Sequence, residues 1–145
     1  MFVLINMILL AFLIAIIWGS KSIALSIITK KYSTEFIYSI QIILELLFIS
    51  FFIYFNKDII YPDLNNITLI DFISMFFIAL IGTFLSNYLF TYLLKYNDHN
   101  VITTIAYSAP IFTLIISMVF LNKKIDLVKQ IGVLLSVVGL VMVSQ

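Results

Sequence analysis

The chain contains no cysteine and no arginine, a single histidine, and charged side chains at only 10% of its positions. The absence of cysteine excludes a disulfide scaffold and a thiol nucleophile, and one histidine cannot form a histidine cluster around a metal. Because all eight basic residues are lysines, bidentate recognition of carboxylate or phosphate by a guanidinium group is excluded as well. A soluble domain carries about 25% charged residues, so an ordinary water-soluble fold is also excluded.

What the chain does contain is apolar sequence, with 63% hydrophobic residues and a mean hydropathy of +1.20. This composition indicates a polytopic membrane protein. A transmembrane helix takes about 20 residues, so a chain of 145 residues has room for roughly five or six. A β-barrel is excluded because its strands alternate apolar and polar residues over about ten positions, whereas the apolar runs here are longer and do not alternate.

Clusters of lysine, asparagine and aspartate separate these apolar runs. The sequence predicts an all-α integral membrane protein with five transmembrane helices in a single domain of residues 1–145. We expect residues 57–66 to form the longest loop, because Pro62 and the surrounding Asp and Asn residues break helices. The predicted helices cover residues 3–28, 36–56, 72–94, 101–121 and 128–143.

The distribution of lysines gives the chain little preference for one orientation in the membrane. The side of the N-terminus carries four lysines, and the opposite side carries three: on the first side Lys57, Lys123, Lys124 and Lys129, on the second Lys30, Lys31 and Lys95. Topology follows the excess of basic residues in short loops on the cytoplasmic side. An excess of one is a weak bias, so the sequence leaves insertion in both orientations open.

Two full charges, Lys21 and Glu45, lie inside the predicted helices. Ionisable residues within a membrane are costly and are candidates for a functional site. The two residues lie equally far from the first turn, near Ser33, and a helix rises about 1.5 Å per residue. They are therefore at similar depth, and a direct pair in one cavity is predicted. Alternatively, Lys21 extends toward the interface at Lys30, and Glu45 makes a static polar contact.

A second pair of polar residues lies at a matching depth. Asn87 and Ser108 are each about ten residues from the next turn on the same side of the membrane, near Asn97. With Lys21 and Glu45 they form one polar layer roughly 15 Å deep, close to the midplane, where transporters bind their substrates. The alternative is that each residue makes one isolated hydrogen bond.

Pro110 lies within this layer, and aromatic residues including Tyr88 flank it. Proline cannot donate a backbone hydrogen bond, and its ring clashes with the preceding turn. We therefore expect a kink or an interrupted hydrogen bond between Ala106 and Pro110. The predicted binding site for a substrate or ion thus consists of a small set of residues, namely Glu45, Lys21, Asn87, Tyr88 and Ser108.

Small residues recur at helical spacing on the last helix, at Gly132, Ser136 and Gly139. Such a face lets two helix backbones approach closely. It serves either packing within one subunit or an interface between subunits. Similar sets lie on the first and third helices. Packing within one subunit is the favoured interpretation, and the last helix is the best candidate for an interface between subunits.

The order of several motifs resembles a single EamA-type domain of the drug/metabolite transporter superfamily. The first helix contains Ile17-Trp18-Gly19-Ser20, and an ordered series follows through the second half. That series is Gly82-Thr83, Tyr88 to Tyr96, Ser108-Ala109-Pro110-Ile111-Phe112, Phe120-Leu121-Asn122-Lys123-Lys124, Gln130-Ile131-Gly132 and Gly139. The chain departs from the family pattern at Asn122-Lys123, where a Gly-Glu pair is usual, and in having one five-helix unit where typical members have two.

The resemblance implies transport of a small metabolite or drug by alternating access. We predict a secondary transporter in the cell membrane that works as a dimer of five-helix units, either an antiparallel homodimer or a heterodimer with a related unit. Glu45 would bind the coupling ion. The sequence predicts no cofactor, no metal, no nucleic-acid partner and no enzymatic activity. The alternative is a non-transporting accessory or scaffold subunit of a membrane complex.

Overall fold

The computed structural model describes residues 2–121 and 126–143, and this part of the chain is all-α. Asn122 and Lys123, at which the chain departs from the family pattern, lie outside the described residues. The helices run in the order α1 Phe2–Ile28, α2 Thr34–Phe55, α3 Lys57–Asn66, α4 Leu69–Phe77, a π-helical segment Ile78–Leu85, α5 Ser86–Tyr96, α6 His99–Ala106, α7 Ala109–Phe120 and α8 Leu127–Val143.

Four stretches in the described residues are long and apolar enough to cross a membrane: Leu9–Ile28, Thr34–Phe55, Leu69–Tyr96 and His99–Phe120. A fifth, shorter apolar helix covers Leu127–Val143. Its 17 residues extend about 25 Å, slightly less than the roughly 30 Å of a bilayer core. The predicted all-α membrane fold is confirmed, with four full spans and one shorter apolar helix.

The chain divides into two compact units, which are described separately. The central unit comprises residues 25–95, with α2, α3, α4, the π-helical segment and α5. The terminal unit comprises residues 1–24 and 96–145, with most of α1 and with α6, α7 and α8.

In the central unit, polar caps decide where the helices begin. The Ser33 hydroxyl accepts a 3.2 Å hydrogen bond from the backbone N–H of Phe36, and α2 starts between them. Thr68 and Asp71 form a capping box at the start of α4, with each side chain bonded to the other residue's backbone N–H. These bonds satisfy N–H groups that have no partner within the helix.

The prediction of a loop at residues 57–66 is wrong, because this segment forms the short helix α3. Pro62 lies inside the helix, beyond its first four residues, so its missing N–H removes one internal backbone hydrogen bond, the one that would reach the Asp58 carbonyl. At the other end, the Asn66 amide donates a 2.9 Å hydrogen bond to the Pro62 carbonyl. Local hydrogen bonds therefore offset the helix-breaking tendency of these residues.

The third apolar stretch is not a regular α-helix, because its middle, Ile78–Leu85, is π-helical. The N–H of Ser86 reaches back to the carbonyl of Ile81, five residues earlier, and its hydroxyl donates to the carbonyl of Gly82. π-Helical turns are rare and occur frequently at functional sites.

In the terminal unit, the fourth span is interrupted at the position where the sequence predicts a kink. α6 ends at Ala106, Tyr107 and Ser108 form a turn, and α7 begins at Ala109 with Pro110 in its first turn. Proline suits the start of a helix because its missing N–H has no partner there in any case.

Burial in the described residues is the reverse of that in a soluble protein. The most buried side chains are small and polar, namely Ser22, Thr29, Thr34 and Thr91, each about 1% exposed. Large apolar side chains are exposed instead, as expected for surfaces that contact lipid tails.

Candidate functional site

A cluster of aromatic rings joins α2 to the third span within the central unit. The Tyr38 ring lies edge-on to Phe84 and to Tyr88, at centroid distances of 5.3 and 5.7 Å. The Tyr38 hydroxyl donates a 2.6 Å hydrogen bond to the backbone carbonyl of Phe84. We call these three residues the Tyr38 cluster. It connects α2 directly to the π-helical segment.

Tyr88 also connects the cluster to a carboxylate. Its hydroxyl donates a 3.3 Å hydrogen bond to an oxygen of Glu35, in the first turn of α2. A negative charge at this position also interacts favourably with the positive end of the helix dipole. Glu35 thus has structural partners that account for its position.

Glu45 lies ten residues further along α2, where its side chain is exposed. Within the central unit its carboxylate accepts one weak hydrogen bond, 3.4 Å long, from the Gln41 amide. The other polar atom of that amide, Gln41 Oε1, is buried and has no hydrogen-bond partner among the described residues. Glu45 is therefore a carboxylate inside a span that is only weakly compensated within its own unit.

The other predicted site residues have different surroundings. In the central unit, Asn87 is half-buried, and its backbone carbonyl accepts the Thr91 hydroxyl at 2.8 Å. In the terminal unit, Lys21 is half-buried on α1 and the Ser108 hydroxyl donates 2.6 Å to the Ile105 carbonyl. Lys21 and Glu45 belong to different units, so their pairing stays a prediction, as does the shared polar layer.

The terminal unit contains a cleft of about 500 Å³. Its walls come from α1, from the first turns of α6 and from the end of α8, and most of the lining side chains are uncharged and polar. The lining residues are Gly19, Ser22, Ile23, His99, Asn100, Thr103, Thr104 and Val143.

Two hydroxyl groups meet in this cleft. Ser22 and Thr103 are hydrogen-bonded to each other across α1 and α6, and either group can be the donor. On the adjacent turn, the Trp18 and Tyr107 rings are 5.9 Å apart, and the Tyr107 hydroxyl donates a 3.0 Å hydrogen bond to the Trp18 carbonyl. These contacts hold α1 against the interrupted fourth span.

Sequence reasoning missed Tyr38, Ser22 and Thr103 as site residues. Their partners are distant in the chain, and 81 positions separate Ser22 from Thr103. A tyrosine or hydroxyl residue in an apolar helix carries no local pattern that indicates its partner.

The small residues of α8 are exposed in this chain. A Cβ atom added at Gly132 or at Gly139 would meet nothing within 4 Å, and the Ser136 hydroxyl donates to the Gly132 carbonyl of its own helix. Among residues 2–121 and 126–143, no three His, Asp or Glu side chains gather into a group that could hold a metal ion.

These features define a multi-pass helical membrane protein with polar groups inside its spans. The model of the EamA-like transporter family matches residues 5–145. The chain therefore belongs to the EamA-like transporter family, which is a family of transporters and not of enzymes. No curated protein and no solved structure matches the chain.

Proposed function

We propose that this protein is a secondary transporter of a small metabolite or drug that works by alternating access. The observation that carries the proposal is Glu45, an exposed carboxylate in the second span of a chain of this family. A charged side chain in contact with lipid costs several kcal/mol. Glu45 is therefore expected to face a water-filled pathway or a second subunit.

Glu45 is assigned the binding of the coupling ion. Its only hydrogen bond within the central unit is the 3.4 Å contact with Gln41, which leaves most of its acceptor positions available to a proton or another cation. Lys21 balances its charge in the resting state. Asn87, Tyr88 and Ser108 complete the polar lining of the pathway.

We further propose that two copies of the five-helix unit assemble in the cell membrane as an antiparallel homodimer. Transporters of this general type place their site at the interface of two inverted repeats. An inverted second copy supplies that arrangement, and the lysine distribution gives each copy little orientational preference. The exposed face of Gly132, Ser136 and Gly139 is assigned to the contact between copies.

The test is flux in proteoliposomes that contain the purified protein. Cationic drugs, amino acids and sugar derivatives are offered with and without a proton gradient. We expect saturable uptake of at least one compound class, and we expect Glu45→Gln to reduce it by about 100-fold, the range expected when an ionisable group that must exchange a proton is lost. Glu35→Gln removes a carboxylate from the same helix and should retain most of the flux.

The control separates the coupling role from general charge effects, because Glu35 already has a structural partner in Tyr88. Equal loss in both variants would reject the coupling role of Glu45. The absence of flux for every compound, with correct insertion, would reject transport and support an accessory subunit.

A further inference from the structure

We propose that the cleft of the terminal unit binds a neutral small molecule rich in hydroxyl groups, of about the size of a monosaccharide. This ligand is the transported substrate, an assignment that rests on the proposed function, whereas the binding itself can be measured without transport. The argument starts from the way in which hydroxyl groups are satisfied in these helices.

Hydroxyl groups in apolar helices usually donate to a carbonyl one turn earlier in the same helix. This arrangement needs no partner from elsewhere and is common in the described helices, at Ser20, Ser50, Ser74, Thr91, Thr113 and Ser136. Ser22 and Thr103 depart from it. Their hydroxyls bond to each other across the cleft wall instead of to their own helices.

The Ser22–Thr103 pair has hydrogen-bonding capacity to spare. Two hydroxyl groups bring two protons and four lone pairs, and the bond between them uses one of each. Ser22 is buried, at 1% exposed, whereas Thr103 is partly exposed. A buried hydroxyl is costly when its capacity is unused. Both residues line the cleft. The occupant is the natural partner for the remaining capacity of the Thr103 hydroxyl, and the buried Ser22 hydroxyl holds that group in place.

Other side chains of the cleft wall can also both donate and accept hydrogen bonds. Thr104 supplies a third hydroxyl, and Asn100 and His99 supply an amide and an imidazole. Each of these groups can both donate and accept a hydrogen bond. Hydroxyl groups of a ligand also do both, so they match this wall better than groups that only donate or only accept.

The composition of the cleft wall argues against a charged ligand. No lysine, aspartate or glutamate is among the described residues that line the cleft. The nearest carboxylate in the sequence, Asp98, accepts hydrogen bonds from the backbone N–H groups of Asn100 and Val101. A charged ligand would lose water without gaining a counter-ion, which is expensive. The volume of about 500 Å³ lies in the usual range for small-molecule sites.

The chain contains its own reporter of binding. Trp18 is the only tryptophan in the sequence. It directly precedes Gly19, and Gly19 lines the cleft. Purified full-length protein in detergent micelles is titrated with glucose and with N-acetylglucosamine, while the Trp18 emission is recorded. Glucosamine and glucuronate are the cationic and anionic counterparts. We expect a saturable change with a neutral sugar and at least tenfold weaker binding of its charged counterparts, equivalent to about 1.4 kcal/mol.

Two pairs of variants test the hydroxyl groups. Thr103→Val keeps the side-chain shape and removes a hydroxyl from the cleft, and Thr113→Val does the same on α7, where the hydroxyl donates to its own helix. Ser22→Ala and Ser20→Ala form the second pair. We expect about threefold to tenfold weaker binding for each cleft variant, the effect of one lost hydrogen bond, and unchanged binding for each control.

Gly19→Leu provides a variant that blocks the cleft without removing a polar group. A Cβ atom at this position meets nothing within 4 Å, so the larger side chain extends into open space and should abolish the Trp18 response. Unchanged helix content by circular dichroism shows that each variant is folded.

The proposal is overturned by the absence of a saturable response to either neutral sugar, by binding of a charged counterpart as tight as that of its neutral partner, or by cleft variants that bind as tightly as their controls. The transport proposal fails separately. Sugar binding without flux in proteoliposomes would keep the cleft as a binding site and reject secondary transport. If Glu45→Gln abolishes flux while Thr103→Val and Gly19→Leu leave it unchanged, the transport proposal is retained and the cleft is rejected as the substrate site.

Discussion

The hydroxyl of Tyr38 donates a 2.6 Å hydrogen bond to the carbonyl of Phe84, which lies in the π-helical segment. The two rings are also in edge-on contact. A carbonyl in an irregular stretch of a membrane helix is costly unless it finds a donor. Tyr38 therefore supports the π-helical segment from a neighbouring span.

The first prediction concerns this hydrogen bond. Tyr38→Phe keeps the ring contacts and removes the hydroxyl. We expect the free energy of unfolding to fall by about 0.5–2 kcal/mol, the range measured for hydrogen bonds between membrane helices. Tyr54→Phe is the control, because Tyr54 is on the same helix and is 70% exposed. Reversible unfolding in mixed detergent micelles measures both, and equal stability of the two variants would contradict the supporting role of Tyr38.

The second prediction concerns the break between α6 and α7. Pro110→Ala restores a backbone N–H in the first turn of α7, which favours a continuous helix through Tyr107 and Ser108. Because Tyr107 packs on Trp18, we expect a shift of the Trp18 emission. The other proline in the chain supplies the control: Pro62→Ala alters α3 and should leave that emission unchanged. An identical spectrum for Pro110→Ala and the parent would mean that the proline does not maintain the break.

The third prediction concerns orientation in the membrane. The chain has no cysteine, so single cysteines can be introduced by Asp63→Cys and Asn97→Cys at predicted opposite sides. An impermeant reagent applied to intact cells should label about half of each variant if both orientations are made. Adding three lysines to one side should then convert a mixed population to one orientation. Complete labelling of one variant and complete protection of the other would exclude the antiparallel homodimer.

The fourth prediction concerns the last helix. Because a Cβ atom at Gly139 meets nothing within 4 Å among the described residues, Gly139→Leu should leave the folded unit intact. We expect it to reduce chemical cross-linking between copies severalfold, since a large side chain prevents close helix approach. Val138→Leu changes the adjacent position of α8 and should retain cross-linking. Equal cross-linking in both variants would mean that this face of α8 does not form the interface between copies.

Local sequence accounted for much of the helical fold, for physical reasons that act over a few residues. Apolar runs of about 20 residues specify transmembrane helices because a membrane leaves few other ways to satisfy the backbone. At the start of α6, Asp98 is the cap, and its carboxylate accepts hydrogen bonds from the backbone N–H groups of Asn100 and Val101. The break before Pro110 also lies where the chemistry of proline places it. The order of motifs along the chain was sufficient to indicate the family.

Composition misjudged one local feature: residues 57–66 form α3 although their composition predicts a loop, and the Asn66 amide donates to the Pro62 carbonyl within that helix. Tertiary structure decided the features that depend on distant residues. The π-helical segment has no local signature, and its Phe84 carbonyl is bonded by Tyr38, 46 positions away. Ser22 and Thr103 are 81 positions apart, and only folding brings their hydroxyls together. The sequence by itself determined which segments are helices, whereas packing between the helices determined which polar groups face one another.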